Sequence, residues 1–176
     1  MKETAHGLTG FAVLLCLIVI GNCLGQEKVA DVQTTAKVRE RVNTIIRETI
    51  KRGEFTTADG VRGITRMPPS SEDVEEIKSY GDQAVLPLEE YFYSDSAFEY
   101  EMAMRLMSAL GGERIIKPLK NVVLYDPSPR KREYALRWIT QGPWEQAAKV
   151  IRQAVEHDPD ANVRDVAKEL LSGHGP

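Results

Sequence analysis

Apolar residues recur at intervals of three and four along the second half of the chain, which is the spacing of one face of an α-helix. Ala84, Leu88 and Phe92 follow this spacing in one stretch, and Met102 and Leu106 follow it in the next. Similar pairs of stretches then return twice. The pattern predicts an all-α fold built from successive helical hairpins. The hairpins are expected at about residues 81–111, 112–142 and 143–173.

Seven sets of positions keep one register through the three hairpins, with steps of 31 and 32 residues. In the first helices, the equivalent sets are Ala84, Ile115, Ala147; Leu88, Leu119, Ile151; and Phe92, Val123, Val155. In the second helices, they are Met102, Tyr134, Val166; Ala103, Ala135, Ala167; and Leu106, Trp138, Leu170. Asp95, Asp126 and Asp158 stand between the paired helices. A single hairpin cannot bury its apolar face alone, so the sequence predicts that neighbouring hairpins stack.

The turn and second helix of the last hairpin carry a recognisable motif. Residues 158–171 read DPDANVRDVAKELL. This stretch resembles the HEAT-repeat superfamily, particularly the short repeats of phycobilisome-lyase-like proteins. The middle hairpin matches with Asp126, Pro127, Arg132, Ala135 and Leu136. The first hairpin departs from the motif, because Tyr100 stands where the arginine is expected.

The resemblance covers residues 81–173 and implies a short right-handed α-solenoid of HEAT-like helical hairpins. It also implies that the second helices line the inner curve of the stack. Two segments precede the hairpins in this interpretation, an N-terminal helix and a small non-helical segment. The HEAT-like part as a whole is expected over residues 70–176.

The residues before the hairpins divide into three segments. Residues 26–53 predict an amphipathic N-terminal helix, and residues 70–80 predict a capping helix with Ser70 and Asp73 as a capping box. Residues 54–69 separate them as a loop or small hairpin. The pair Asp59-Gly60 favours a tight turn within that segment.

Residues 1–25 have the layout of a secretory signal peptide, with an apolar run over residues 11–20 and small residues before the cut after Gly25. The expected protein is therefore exported, and periplasmic or secreted after cleavage. Two alternatives keep it at a membrane: an uncleaved leader, or a lipidated Cys23. Both cysteines, Cys16 and Cys23, lie in the leader, so the cleaved chain would contain neither disulfides nor thiolate ligands.

Charge is unevenly distributed along a chain whose net charge is −3. Residues 27–66 contain nine basic and six acidic side chains, whereas residues 67–176 contain 13 basic and 19 acidic side chains. We interpret this polarity as attraction between the two parts within the fold rather than as a binding role. The overall balance gives no indication of nucleic-acid binding.

Candidate chemistry is sparse. After cleavage the histidines are His157 and His174, and the sequence contains no phosphate loop, dinucleotide fingerprint or nucleophile elbow. We therefore expect a non-enzymatic protein without cofactor or metal.

The leading hypothesis is an exported scaffold or adaptor that binds a protein or peptide along its second helices. The alternatives are a lyase-like enzyme acting on a bound tetrapyrrole, suggested only by the family resemblance, and a structural protein anchored in the envelope. The candidate partner surface comprises Tyr100, Glu101, Arg105, Arg132, Glu133, Arg137, Trp144 and Arg164. Its simpler interpretation is Glu-to-Arg pairing four residues apart along each helix.

Overall fold

The computed structural model describes residues 34–60 and 62–173. Val38–Pro176 form one compact unit, and of the other unit, Met1–Lys37, only the start of the first helix is described. The described chain is mostly helical, as the spacing of the apolar residues predicts. Its helices are α1 (34–53), α2 (Ser71–Tyr80), α3 (Val85–Glu90), α4 (Ala97–Leu110), α5 (Ile116–Tyr125), α6 (Pro129–Ile139), α7 (Trp144–His157) and α8 (Ala161–Gly173). Short 3-10 turns at Gly81–Ala84 and Glu113–Ile115 lead into α3 and α5, and another at Tyr91–Tyr93 follows α3.

The segment after α1 is a two-stranded antiparallel hairpin. Strand β1 (Glu54–Thr56) pairs with β2 (Arg62–Ile64), and Gly60 takes the positive φ of 85° that the turn between them needs. The N–H of Thr65 donates a 2.7 Å hydrogen bond to the carbonyl of Gly53, which ties the hairpin to the end of α1. A Cβ on Gly53 would lie 2.1 Å from the Thr65 oxygen, so this contact requires glycine.

Helix α2 begins with the expected capping box. The Ser70 hydroxyl accepts a 3.1 Å hydrogen bond from the N–H of Asp73, and the Asp73 carboxylate accepts one from the N–H of Ser70. Arg52, in the last turn of α1, donates a 2.8 Å hydrogen bond to the same carboxylate. Asp73 therefore caps α2 and also connects it to α1.

The core collects most of the apolar positions that share a register in the sequence. Helix α5 packs on α6, α7 packs on α8, and the helices α4, α6 and α8 pack in succession. The three alanines of the second helices, Ala103, Ala135 and Ala167, are fully buried. Leu106 is also fully buried, and Trp138 and Leu170 pack against the same core as partly buried residues.

Several expectations concern residues outside the described part of the chain. They are the leader at 1–25 with its two cysteines, the first residues of the predicted 26–53 helix, and His174. Over the residues that are described, none of the helices combines the length and the apolar character needed to cross a bilayer.

Candidate interaction surface on helices α4 and α6

Helices α4 and α6 lie side by side and run in the same direction, since contacts between them keep the same order along both. Tyr100 meets Tyr134 with ring centres 6.4 Å apart, and one turn further along Arg105 lies 5.8 Å from the Trp138 ring centre. We call the surface formed here the α4–α6 face. It comprises Arg66, Tyr100, Glu101, Arg105, Arg130, Lys131, Glu133, Tyr134, Arg137 and Trp138.

A row of aromatic rings forms the centre of the α4–α6 face. Tyr100 packs edge to face on Tyr134, which packs in the same way on Trp138 at 6.1 Å. Burial raises the pKa of both tyrosine hydroxyls above their ordinary value. The rings therefore remain uncharged at neutral pH. Tyr100 is only 4% exposed, so the partly exposed rings of Tyr134 and Trp138 give the face its apolar centre.

Glu101 lies beneath one end of this row, with only 7% of its side chain exposed. One carboxylate oxygen is 3.1 Å from Nε of Arg66, and the other is 3.0 Å from Nη2 of Arg130. The sequence suggested that Glu101 pairs with Arg105 four residues later. The structure differs, because Arg105 turns to the Trp138 ring while cations from another helix and from the loop after β2 reach Glu101.

Two further basic residues complete the face. The amino group of Lys131 lies 5.0 Å from the ring centre of Tyr100, within the range of a cation–π contact. Arg137 pairs with Glu133 at 3.0 Å, which is the expected contact four residues along α6. The α4–α6 face thus carries five basic side chains and two acidic ones, although the whole chain has a net charge of −3. It is a basic surface on an acidic protein.

A cleft of about 460 Å³ adjoins the face at the turns before α4 and α6. Tyr100, Arg130 and Lys131 belong both to the cleft and to the face. The exposed ring of Tyr93 and the carboxylates of Asp95 and Asp126 line the rest, together with Ala97, Pro127 and Ser128. The cleft extends the surface open to a ligand beyond the two helices.

Arg132 has a different position from the one that the sequence suggested. Its side chain is 6% exposed and donates two 2.8 Å hydrogen bonds to the carboxylate of Asp158, in the turn of the next hairpin. Its remaining amino group donates to the carbonyls of Asp126 and Pro127 at 2.9 and 3.2 Å. Arg132 is therefore a buried connection between hairpins and does not present its charge to a partner.

The pairing with Arg132 changes the pKa of the Asp158 carboxyl group. Burial alone would raise the pKa of Asp158, but hydrogen bonds from Arg132 and from the N–H of Asp160 outweigh it and hold the pKa below its ordinary value. Interaction with Asp158 in turn raises the pKa of Arg132. Both groups are charged in the folded protein.

The last two expected site residues belong to other parts of the fold. Arg164 on α8 repeats part of the Arg132 arrangement, since it donates to the carbonyls of Asp158 and Pro159 at 2.7 and 3.1 Å. Trp144 is the first residue of α7 and packs, partly buried, against the core. Neither residue belongs to the α4–α6 face.

Five members of the face lie outside the partner surface predicted from the sequence: Arg66, Arg130, Lys131, Tyr134 and Trp138. The last two were expected at core positions of the hairpins. One feature of the sequence indicates Arg130 and Lys131. Arg130 and Lys131 follow Pro129 in the first turn of α6, where the helix dipole disfavours positive charge. Cations in that position need another source of stabilisation, and here Glu101 and the Tyr100 ring provide it.

No group of three or more histidine, cysteine, aspartate or glutamate side chains is arranged to hold a metal ion within residues 34–60 and 62–173. Comparison with known proteins found no matching family model, no similar curated protein and no similar solved structure.

Proposed function

We propose that this protein is an exported, HEAT-type scaffold or adaptor that binds a protein or peptide partner on the α4–α6 face and catalyses no reaction. The observation that carries the proposal is the basic, aromatic surface on an otherwise acidic chain. Export rests on the leader in the sequence. The HEAT-type description rests on the resemblance of the hairpin motifs.

The packing supports a stacked arrangement of hairpins. Three of the seven sets of equivalent positions are fully buried in all three hairpins, and α4 and α6 run in the same direction. Arg132 and Arg164 both hold the two carbonyls of the turn that precedes their own helix. In a solenoid, such repetition makes the second helices one continuous surface, which is where extended partners bind.

The composition of the α4–α6 face favours binding over chemistry. Arginine, tyrosine and tryptophan are enriched where proteins contact each other, because they combine a large contact area with directed hydrogen bonds. The partly exposed rings of Tyr134 and Trp138 and the surrounding guanidinium groups provide both. Each cation is held by a ring or a carboxylate, so the surface is ordered before a partner arrives.

The test is to reverse the charge of two exposed basic residues of the face, Arg105 and Arg137. The double variant Arg105→Glu, Arg137→Glu should abolish capture of partners from the exported fraction by cross-linking. The free energy of unfolding should fall by no more than about 1–2 kcal/mol, because one cation–π contact and one exposed ion pair are lost.

The matched control is Lys149→Glu, Arg152→Glu on α7, which makes the same change of charge at two exposed positions outside the face. The control should leave capture unchanged. If the α4–α6 double variant captures the same proteins as the unaltered chain, the face is not the binding surface.

A further inference from the structure

We infer that the partner segment bound on the α4–α6 face is an acidic, extended peptide whose carboxylates contact two separate clusters of cations. This inference rests on the proposed function and specifies the chemistry of the partner. One cluster is Arg66 and Arg130, which pair with Glu101, together with Lys131 on the Tyr100 ring. The other is Arg105, which lies over the Trp138 ring, and Arg137, which pairs with Glu133.

The first cluster keeps exposed N–H donors on its arginines. Glu101 places one oxygen against each of two guanidinium groups, so a single buried carboxylate holds Arg66 and Arg130 together. An arginine has five N–H donors, and these two side chains remain 61% and 57% exposed. Lys131 contacts a neutral ring rather than an acid. Asp95 and Asp126 line the adjoining cleft, so the cluster attracts a further carboxylate through the exposed guanidinium donors rather than through an excess of charge.

The second cluster lies further along the same helices. Arg137 follows Arg130 by seven residues, or about 10 Å along α6 at 1.5 Å per residue, and two helical turns return it to the same side. A peptide in the polyproline II conformation rises about 3.1 Å per residue and repeats every three residues. Acidic side chains three residues apart would therefore meet both clusters at once, while the peptide backbone crosses the partly exposed rings of Tyr134 and Trp138.

A nucleic acid fits this surface less well than an acidic peptide does. Single-stranded nucleic acids bind aromatic side chains by stacking bases on open ring faces. Here Tyr134 packs edge to face with both neighbouring rings, and Arg105 and Lys131 cover Trp138 and Tyr100. The five basic side chains of the face also form only one patch. The rest of the chain, whose overall net charge is −3, would repel a polyanion long enough to extend beyond that patch.

The experiment uses synthetic peptides and the fluorescence of Trp138. The full chain contains two tryptophans, so the variant Trp144→Phe leaves Trp138 as the single reporter. The probe peptide carries two glutamates three residues apart in a proline- and alanine-rich background. We expect a saturable change in emission that weakens as the salt concentration rises. A peptide with lysine in place of glutamate should give none.

Substitutions in the Trp144→Phe background then locate the peptide. Lys131→Gln and Arg105→Gln should each lower the affinity for the probe peptide about two- to fivefold, which is the range expected for one exposed charge pair. Lys149→Gln on α7 is the matched control and should have no effect. A probe with its glutamates six residues apart should bind more weakly than the probe with the spacing of three.

The outcomes separate this inference from the proposed function. If the glutamate peptide gives no saturable change while the Arg105→Glu, Arg137→Glu variant still loses partner capture, the face binds a partner that is not acidic, and the inference fails alone. Inorganic phosphate that binds as tightly as the peptide would show a simple anion site and would also overturn it. If charge reversal leaves capture intact, the proposed function fails.

Discussion

Replacing Arg132 by methionine should destabilise the fold more than replacing any exposed basic residue. The change removes two hydrogen bonds to Asp158 and two to turn carbonyls, and it leaves a carboxylate that is 3% exposed without its counter-ion. Removing one partner of a buried ion pair costs about 3–5 kcal/mol. For a chain of this length, 1 kcal/mol corresponds to about 2–4 °C in Tm, so we expect a decrease of about 6–20 °C.

Arg164 supplies the matched control. It donates to the two equivalent carbonyls of its own turn, those of Asp158 and Pro159, and among the described residues no carboxylate makes an ion pair with it. Arg164→Met should therefore cost only the carbonyl contacts, about 1–2 kcal/mol. The difference between the two variants, measured by urea unfolding at neutral pH, isolates the contribution of the pair between Arg132 and Asp158.

A second variant shows whether the unpaired charge causes the loss. Adding Asp158→Leu to Arg132→Met removes the isolated carboxylate, so it should recover most of the lost stability. Recovery should stop short of the original value, because Asp158 also accepts a 2.9 Å hydrogen bond from the N–H of Asp160. Equal costs for Arg132→Met and Arg164→Met would refute the reasoning.

Two further predictions concern other contacts in the fold. Because the folded protein holds the pKa of Asp158 below its ordinary value of 3.8, this group stabilises the fold above about pH 4. That contribution is lost as the pH falls through the lowered pKa, so Asp158→Asn should reduce the dependence of urea unfolding on pH below pH 5; an unchanged pH profile would contradict this. Gly53→Ala should lower the free energy of unfolding by several kcal/mol, because its Cβ would lie 2.1 Å from a backbone oxygen. Gly173→Ala, where nothing lies within 4 Å, should have little effect, and equal losses in the two variants would exclude the clash as the cause.

The helices were predictable because their determinants are local. Spacing of apolar residues, glycine and proline at the ends, and the pair Ser70 and Asp73 all act within one or two turns of the chain. The hairpin between Glu54 and Ile64 was one of two alternatives, since Asp59-Gly60 permits a tight turn without requiring strand pairing. The hairpin depends on the pairing of β1 with β2, which joins residues up to ten positions apart.

The candidate surface was predictable only in part, because its decisive contacts join distant residues. Side chains four residues apart on a helix contact each other, and this rule correctly paired Arg137 with Glu133. The same rule failed for Glu101, whose partners Arg66 and Arg130 lie 35 and 29 residues away in the sequence. For Arg132, the sequence motif gave the position but not the burial, which depends on the turn of the following hairpin packing over it.

The uneven charge of the sequence has a structural explanation, and it bears on the proposed surface. Basic side chains from the first part of the compact unit pair with acidic side chains further along the chain, as the polarity suggested. The pairs are Arg39 with Glu90, Arg41 with Glu76, Arg52 with Asp73, and Arg66 with Glu101. The last pair differs from the others, because Glu101 also pairs with a second cation, Arg130, which belongs to residues 67–176. Attraction within the fold therefore accounts for the first three arginines, whereas Arg66 is a second guanidinium on a carboxylate that already has one. The exposed N–H donors of Arg66 and Arg130 are what a partner with carboxylates would contact.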